Sequence, residues 1–441
     1  MICMSFKSVL SILFFLCLLS LLSAQIDLVG NDKMYIKISN NNLKIPIFSN
    51  FSIDLTRSDI AHAVIVLHGT ERNAGEYYNN MTIAAFKKPA FSDSTIIVSP
   101  QFLTEEDIVF HRLDKEHLYW TDGGWVSGSN SRNEPTNPRP ARIPSYAVLD
   151  TLMMRLVSSF PNLKTIVFAG HSAGGQVVNR YSATSPISDI LCQNFGISTK
   201  YIVANPSSYV YMDNRRAING KVDQFGVPMS DCSGYNDWKF GLNNQFTYPA
   251  IVGQDSIRRM LKKRQVNYLV GQLDNDPNSS SLDVSCEAML QGKHRLERGT
   301  IYFNYLKYYF GNEINKTQTL DTIPNAGHDN FKMFISDKAL YHLFESLPFS
   351  CKQSLSTISQ DENNSHFEVF PNPAMSHLMI RLPSAEGGIQ IYNLQGIKLT
   401  ELKNIENTEV KVDISSLNPG LYIVEYQHRT KSIKKRFLKI N

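Results

Sequence analysis

The residue whose surroundings point most directly to chemistry is a serine between glycines. Ser172 is the central residue of a G-x-S-x-G pattern at 170–174. An apolar segment that ends at Ala169 precedes the pattern, and a helix is predicted directly after it. At such a strand-to-helix turn the serine oxygen stands clear of the sheet, and glycines are needed because side chains there would clash. The pattern alone also fits a glycine-rich turn with a capping serine, but this context favours a nucleophile.

A serine nucleophile needs a base, and the base needs an acid that holds it. Asp274 follows the apolar segment 267–270 and is therefore predicted at the carboxyl end of a strand. Asp276 is a competitor, but the Gly-x-x-Asp spacing after the strand favours Asp274. His328 is predicted in a loop between a strand-like segment and a helix, which completes the chain order serine, acid, histidine. The alternative for His328 is a surface or helix-capping histidine.

An oxyanion formed by attack on an acyl carbon needs two backbone amides. One candidate is the amide of Ala173, the residue after the nucleophile. The other is the amide of Thr70, which follows the predicted strand 62–67, with Glu71 as the less favoured alternative. Two nearby histidines are interpreted as structural: His68 and His171.

Residues 34–349 predict a scaffold in which strands and helices alternate. The predicted strands are short and apolar: 62–67, 94–98, 164–169, 201–204 and 267–270. The predicted helices are 145–160, 173–185, 296–310 and 330–344. Strands that are apolar on both faces and separated by helices form a parallel sheet covered on both sides. The predicted fold class is therefore α/β.

Two long segments rich in aromatic residues interrupt this alternation, at 104–142 and 207–254. Loops of this length in a compact α/β domain are usually functional or disordered, and the aromatic content argues against disorder. We expect four aromatic side chains to form walls of a substrate pocket: Trp120, Trp125, Tyr209 and Trp238. The alternative is that they only pack the core of a lid.

The overall composition narrows the class of protein. A chain of 441 residues fits one large α/β domain with a smaller one, or about three domains. The net charge of +4 is too small to suggest a nucleic-acid-binding protein. Hydrophobic residues make up 42% and charged residues 19%, which excludes a mostly disordered chain.

The first residues have the layout of a secretory signal peptide. Lys7 supplies a positive charge, residues 9–22 are almost wholly apolar, and Ala24 is a small residue before Gln25. Cleavage is predicted after Ala24, so the mature chain would begin at Gln25. The apolar run is too short to favour a membrane anchor, and no stable membrane span is expected after cleavage.

Four cysteines lie beyond the predicted signal peptide: Cys192, Cys232, Cys286 and Cys351. In an exported chain an even number predicts one or two disulfides, and the sequence does not choose among the three pairings. The cysteines are far apart and form no CxxC motif, so a zinc site is not expected. No metal is predicted.

The character of the sequence changes near residue 350. Residues 350–365 are polar and serine-rich, which predicts a linker. Short alternating strands with regular turn signals follow to residue 441, which predicts a small all-β sandwich. The predicted organisation has four parts: signal peptide 1–24, catalytic domain 25–349, linker 350–365 and C-terminal domain 366–441.

Residues 25–349 contain four motifs whose order along the chain is informative: LHGT at 67–70, GHSAGG at 170–175, YLVGQLD at 268–274 and NAGHD at 325–329. Residues from about 55 to 348 resemble the α/β-hydrolase superfamily, and look closest to secreted esterases of the polyester-depolymerase type. The resemblance implies a mostly parallel α/β-hydrolase sheet with helices on both faces. It also implies a triad of Ser172, Asp274 and His328 that needs no cofactor.

The C-terminal part carries its own set of motifs: VFPNPA at 369–374, IQIYNLQG at 389–396, ISSLNPGLYIV at 414–424 and KSIKKRFLKI at 431–440. These residues resemble the C-terminal sorting domain of the Bacteroidota type IX secretion system. The resemblance implies a partner, the secretion machinery, and passage through the periplasm and the outer membrane. The protein would then be secreted or held at the cell surface.

The predicted function is hydrolysis of carboxylic esters, small or polymeric, through an acyl-enzyme on Ser172. One alternative is a peptidase of the same fold, although such peptidases usually carry a propeller or a larger lid domain, and the sequence indicates neither. The other alternative is an inactive, surface-displayed binding protein. Inactive relatives usually lose the serine, the histidine or the glycines, and this sequence has all of them.

Overall fold

The computed structural model describes residues 26, 28–38, 41–349, 351, 367–371, 374–393, 398–403, 405–417, 420–428 and 431–439. The predicted signal peptide 1–24 lies outside the described residues, and so does the predicted linker 350–365 apart from Cys351. The predicted domain boundaries therefore stay predictions.

The larger part of the chain is built on one mixed sheet. Its strands, with one short separate pair, are β1 (Asp32–Ile38), β2 (Asn41–Ser49), β3 (His62–Leu67), β4 (Thr95–Pro100), β5 (Thr165–His171), β6 (Ser198–Ala204), β7 (Arg216–Ala217), β8 (Phe225–Gly226), β9 (Gln265–Gly271) and β10 (Gln318–Ile323). The sheet has eight strands in the order β1-β2-β4-β3-β5-β6-β9-β10, while β7 pairs only with β8. Strand β2 runs antiparallel to both neighbours, and the pairs from β4 to β10 are parallel.

Helices cover both faces of this sheet. They are α1 (Ala74–Phe86), α2 (Pro89–Ser92), α3 (Glu105–Phe110), α4 (Gly124–Ser127), α5 (Ser145–Ser159), α6 (Ala173–Thr184), α7 (Ile187–Phe195), α8 (Thr247–Val252), α9 (Gln254–Lys263), α10 (Cys286–Met289), α11 (Arg295–Phe310), α12 (Asn330–Phe334) and α13 (Asp337–Leu340). In β3, alternate residues enter different clusters: Ala63, Ile65 and Leu67 join the larger one, and Val64 and Val66 join the smaller one. A strand apolar on both faces is thus buried on both, and the predicted mostly parallel sheet with helices on both faces is confirmed.

One predicted helix, 330–344, is divided. Helix α12 ends before Ile335, and Ser336 begins α13 by accepting a hydrogen bond from the Ala339 amide. A π-helical turn, Tyr341–Glu345, follows. Serine prefers the N-cap position to a helix interior because its side chain competes for backbone groups, which explains the break.

The four cysteines among the described residues form two disulfides. Cys192 on α7 is joined to Cys351, and Cys232 is joined to Cys286 at the start of α10. The first bond fastens the end of the larger part to α7. The second ties the aromatic segment 207–254 to the residues before α11.

The C-terminal part consists of antiparallel strands: β11 (Glu368–Phe370), β12 (His377–Arg381), β13 (Gly388–Asn393), β14 (Lys398–Leu402), β15 (Glu409–Asp413), β16 (Gly420–His428) and β17 (Lys431–Lys439). They form a sheet β11-β12-β15 and a sheet β14-β13-β16-β17. Leu378 and Ile380 of the first sheet share one buried cluster with Ile389 and Val424 of the second. Two packed sheets with a common core agree with the predicted all-β sandwich.

Within the described part of the chain, no helix combines the length and the apolar character needed to cross a membrane.

Candidate active site

Ser172 sits at a strained turn between β5 and α6. Its backbone has φ of 58° and ψ of −122°, a conformation that residues other than glycine rarely adopt. A Cβ atom on Gly170 would lie 2.3 Å from the Gly174 carbonyl oxygen, and one on Gly174 would lie 2.3 Å from the Leu67 carbonyl oxygen. Both positions therefore require glycine, which explains the glycines of the motif and holds the serine close to the end of β3.

His328 lies between Ser172 and Asp274. Its Nε2 is 2.9 Å from Ser172 Oγ, and its Nδ1 is 2.7 Å from Asp274 Oδ2. A carboxylate can only accept, so Nδ1 carries the proton and Nε2 accepts from the serine hydroxyl. Asp276, the competing acid, is exposed and caps a turn by accepting from the Asn278 amide. The structure thus brings together Ser172, Asp274 and His328.

Asn205 links the loop of His328 to the sheet. It follows β6, and its Nδ2 donates to the Gly327 carbonyl at 3.0 Å. Its Oδ1 accepts from the Gly271 amide at 2.7 Å, at the end of β9. The sequence analysis did not single out Asn205, although its place directly after a predicted strand was a usable signal. It fixes the distance between the loop that carries the histidine and the strand that precedes the acid.

Arg295, at the start of α11, was also missed. Its side chain is buried, and Nη1 lies 3.4 Å from Asp274 Oδ1. Nε donates to Ser207 Oγ, and Nη2 donates to the carbonyl of Ser281. Burial lowers the pKa of the Arg295 guanidinium, while the nearby Asp274 carboxylate acts in the opposite direction. Arg295 thus contacts one carboxylate oxygen of Asp274 while His328 contacts the other.

His171 packs against His328 with ring centroids 4.5 Å apart. Its Nδ1 is 3.1 Å from the Tyr77 hydroxyl, and its Nε2 is 3.5 Å from Asn205 Nδ2. Complete burial lowers the pKa of His171 well below its ordinary value, and the neighbouring His328 adds to the effect. His171 is therefore a neutral ring at neutral pH.

The two amides expected to bind an oxyanion flank the nucleophile. Ala173 opens α6, where the first N–H groups have no partner within the helix. The loop of Thr70 is close as well, since a Cβ on Gly69 would lie 3.9 Å from Ser172 Oγ. Among the described residues, neither the Thr70 nor the Ala173 amide has a hydrogen-bond partner.

A buried ion pair holds the Thr70 loop. Arg72 Nε is 2.7 Å from Asp107 Oδ2, and Arg72 Nη2 is 3.1 Å from Asp107 Oδ1. Arg72 Nη1 also donates to the Thr70 carbonyl at 3.1 Å. The Asp107 carboxylate also accepts hydrogen bonds from the backbone amides of Thr104 and Ile26. The orientation of the peptide next to the Thr70 amide is thus set by a guanidinium.

The four aromatic residues expected to form walls of a substrate pocket are all buried. Their exposed fractions are 1% for Trp120, 1% for Trp125, 0% for Tyr209 and 8% for Trp238. Trp125 stacks on Phe102 and lies 4.7 Å from the His68 ring, and Tyr209 stacks on Tyr302 at 4.3 Å. Trp120, Trp125 and Tyr209 leave a substrate almost no surface in this conformation. All four belong to the larger buried cluster, and their role as pocket walls stays a prediction.

One group of described residues has the spacing of metal ligands: Cys232, Cys286 and Glu287. The two cysteines are bonded to each other, so their thiolates are not free to bind an ion.

Comparison with known proteins divides the chain in the same way. Residues 368–440 match the family model of the secretion system C-terminal sorting domain. No curated protein matches the chain. Among solved structures, poly(aspartic acid) hydrolase-1 from Sphingomonas sp. KT-1 has a TM-score of 0.46 and 21% identity, covering 73% of this chain and 100% of that one.

Two further solved structures illustrate the range of similarity. The poly(3-hydroxybutyrate) depolymerase LpqC from Bordetella parapertussis has a TM-score of 0.46 and 18% identity, over 73% of this chain and 91% of that one. The siderophore hydrolase EstB from Aspergillus nidulans has a TM-score of 0.36 and 13% identity, over 74% of this chain and 100% of that one. The chain therefore joins a mostly parallel eight-stranded sheet covered by helices to a secretion system C-terminal sorting domain, which indicates a protein at the cell surface or in the medium.

Proposed function

We propose that the protein is a serine hydrolase that cleaves carboxylic esters. The observation that carries the proposal is the continuous hydrogen-bonded line from Ser172 Oγ through His328 to Asp274, with distances of 2.9 and 2.7 Å. Both contacts are within the reach expected of a nucleophile with its base and of a base with its acid. The triad needs no cofactor, and the proposal includes none.

Acylation begins when Ser172 Oγ attacks the acyl carbon and His328 Nε2 takes its proton. Asp274 holds the ring in the tautomer with Nδ1 protonated and stabilises the imidazolium that forms. His328 then gives the proton to the leaving alcohol, whose departure leaves an acyl group on Ser172. Water, activated by His328, attacks this acyl-enzyme in the second half of the reaction and releases the carboxylic acid.

The negative charge of each tetrahedral intermediate needs donors already in place. We assign this role to the amides of Thr70 and Ala173, with the N-terminus of α6 adding a favourable dipole. Loss of one such donor in a related arrangement costs about 10²–10³ in kcat. The ion pair of Arg72 and Asp107 serves this role indirectly, because it orients the peptide that follows Thr70.

A fluorophosphonate probe tests the proposal, because only an activated serine reacts with it. The mature protein should be labelled at Ser172, and Ser172→Ala should not be labelled. A panel of p-nitrophenyl esters of different acyl lengths, run beside a peptide substrate, should show turnover of esters that Ser172→Ala lacks. Turnover of the peptide alone would favour a peptidase, and a wild-type protein that is neither labelled nor active would favour a binding protein.

A further inference from the structure

A glutamine one helical turn beyond the proposed nucleophile has a side-chain amide that its neighbours satisfy only in part. Gln176 lies on α6, and its backbone N–H donates to the Ser172 carbonyl at 3.0 Å. Its side chain is well buried, with 8% exposed. Helical side chains lean towards the N-terminus of their helix, so this one extends over the turn that begins at Ser172.

The orientation of the Gln176 amide follows from its partners. Arg180 Nη2 is 3.1 Å from Gln176 Oε1, and a guanidinium can only donate, so the atom facing Arg180 is the oxygen. Ser208 Oγ donates to the same oxygen at 2.9 Å. The Nε2 group must therefore point the other way. It has no acceptor among the described residues and is not one of the fully enclosed unpaired atoms, so it faces accessible space.

A ring of contacts connects Gln176 with the proposed catalytic residues. It passes from Ser172 to His328, from His328 to Asp274, and on through Arg295, Ser207, Ser208 and Gln176. Helix α6 closes it, because Gln176 and Ser172 share one turn. Gln176 thus belongs to a ring of residues that includes the proposed nucleophile and lies one helical turn from it.

The Gln176 oxygen contacts a cation, Arg180. Arg180 is fully buried, and among the described residues no carboxylate lies within ion-pairing distance of it; Asp283, which raises the pKa of Arg180 from further away, is paired with Lys239 at 3.8 Å. Its other partners are the neutral carbonyls of Val126 and Lys239 and the hydroxyl of Ser208. Burial lowers the pKa of the Arg180 guanidinium to about 10, so the group still carries its charge at neutral pH. A buried cation with only neutral partners favours an anion nearby.

On the basis of the function proposed above, we infer that Gln176 determines specificity by donating from Nε2 to an acceptor at the far end of the acyl group, and that preferred acyl groups end in a carboxylate. The Cβ atoms of residues four apart on a helix are separated by roughly 5–6 Å. A six-carbon acyl chain attached to Ser172 is therefore long enough for its far end to reach Gln176. The charge of Arg180 favours this anion over a neutral acceptor.

Three p-nitrophenyl esters with six-carbon acyl chains test the inference: the hexanoate, the adipate half-ester and the methyl adipoyl ester. The wild-type kcat/KM should be at least about tenfold higher for the half-ester than for the hexanoate, the size expected of a hydrogen bond to a charged group. The methyl ester, which offers a neutral acceptor, should fall between them.

Gln176→Glu is the informative variant, because it keeps an oxygen for Arg180 and Ser208 and replaces the donor by an acceptor. Its half-ester to hexanoate ratio of kcat/KM should fall at least about tenfold. Gln193→Glu makes the same change at an exposed position of α7 and should keep the wild-type ratio. If thermal melting shows that Gln176→Glu does not fold, Gln176→Met must show the same fall, since it removes the donor without adding charge.

A wild-type ratio near one, or an unchanged ratio in the Gln176 variants, would overturn the inference. The proposed function would survive that result as long as the fluorophosphonate labels Ser172 and the hexanoate is turned over. A protein that is not labelled and hydrolyses none of the three esters would instead contradict the proposed function, and the inference with it.

Discussion

The rings of His328 and His171 lie 4.5 Å apart, one in contact with Ser172 and the other enclosed by the fold. Two imidazolium ions at this distance would repel each other, and burial already disfavours the charged form of His171. In the proposed reaction, the proton taken from Ser172 can therefore reside on His328 and not on His171. Tyr77 and Asn205 hold the neutral ring in place.

If His171 is a neutral packing element, His171→Phe should leave the shape of the pH–rate profile unchanged. We expect kcat/KM for a p-nitrophenyl ester to fall less than about tenfold, because the variant keeps a flat ring but loses two hydrogen bonds. Measurement of kcat/KM from pH 5 to 9 checks this. A wild-type profile with two ascending steps, one of which disappears in the variant, would show that His171 titrates during catalysis.

The choice between the two acids can be decided with a matched pair of variants. Asp274→Asn should lower kcat by about 10⁴, because an amide stabilises the wrong tautomer of the base. Asp276→Asn should change kcat little, since that side chain is exposed and only caps a turn. Single-turnover rates with a p-nitrophenyl ester give the comparison. Equal losses in the two variants would contradict the assignment.

Asp107→Asn tests whether the ion pair between Asp107 and Arg72 positions the Thr70 loop, whose amide is proposed to bind the oxyanion. Removing one partner of a buried pair typically costs about 3–5 kcal/mol of stability, so the unfolding free energy should drop clearly. At a temperature where the variant is still folded, kcat should fall at least about tenfold while KM changes little, since the Thr70 amide acts mainly on the transition state.

The control for this variant is Asp59→Asn, which breaks the exposed pair with Arg57. It should alter neither kcat nor stability appreciably. A drop in stability of Asp107→Asn with an unchanged kcat would assign the Arg72–Asp107 pair a structural role only.

The sequence predicted the turn around Ser172 well. The strands and the helix near it are short segments, and their own apolar residues indicate where they lie. Strand β3 has the predicted bounds, and α6 begins at the predicted residue. Strand β5 runs further than predicted, because Gly170 and His171 continue the pairing with β6 although neither looks strand-like in sequence. Tertiary pairing here overrides local preference.

Arg295 and the aromatic residues show what the sequence could not predict. Arg295 looks like an ordinary charged residue at a helix start, and its burial depends on Ser207 and Ser281, which are distant in sequence. Likewise, the tryptophans were recognised as a group, but the direction of each side chain depends on the packing of Phe102 and His68. Composition locates such a segment, while long-range contacts decide which side of it faces the site.

The lowered pKa values of two buried histidines, His62 and His68, predict how the free energy of unfolding depends on pH. Burial lowers the pKa of His62 and His68 to about 4 each, so the unfolded chain binds protons there at a higher pH than the folded protein. Each residue therefore contributes stability that is present above pH 6.5 and is lost as the pH falls towards 4, roughly 3 kcal/mol over that range. Asp150 acts in the opposite sense, since burial raises its pKa to about 6.

Urea unfolding of the wild type and of His62→Gln at several pH values isolates one of these contributions. The stability of the variant should depend less steeply on pH between 6.5 and 4. His377→Gln, which changes an exposed histidine of β12, should follow the wild type. An identical pH dependence for His62→Gln and the wild type would refute the assignment to His62.

The last prediction separates chemistry from export. All residues assigned to the triad and the oxyanion amides lie before Phe349, and the C-terminal strands bury a cluster of their own. A chain from Gln25 to Gln360 keeps Cys351, and with it the disulfide to Cys192. This shortened chain should be soluble, with a kcat/KM equal to that of the full mature chain for the same ester.

In the native host the outcome should differ, because residues 368–440 match a sorting domain. Deleting Phe367 to Asn441 should leave active enzyme in the periplasm, while the full chain reaches the cell surface or the medium. Ester hydrolysis in separated cell fractions, with a periplasmic marker enzyme as control, measures this. A large loss of kcat/KM in the purified short chain would show that the tail takes part in catalysis. Undiminished export of the deleted form would show that the sorting information lies elsewhere in the chain.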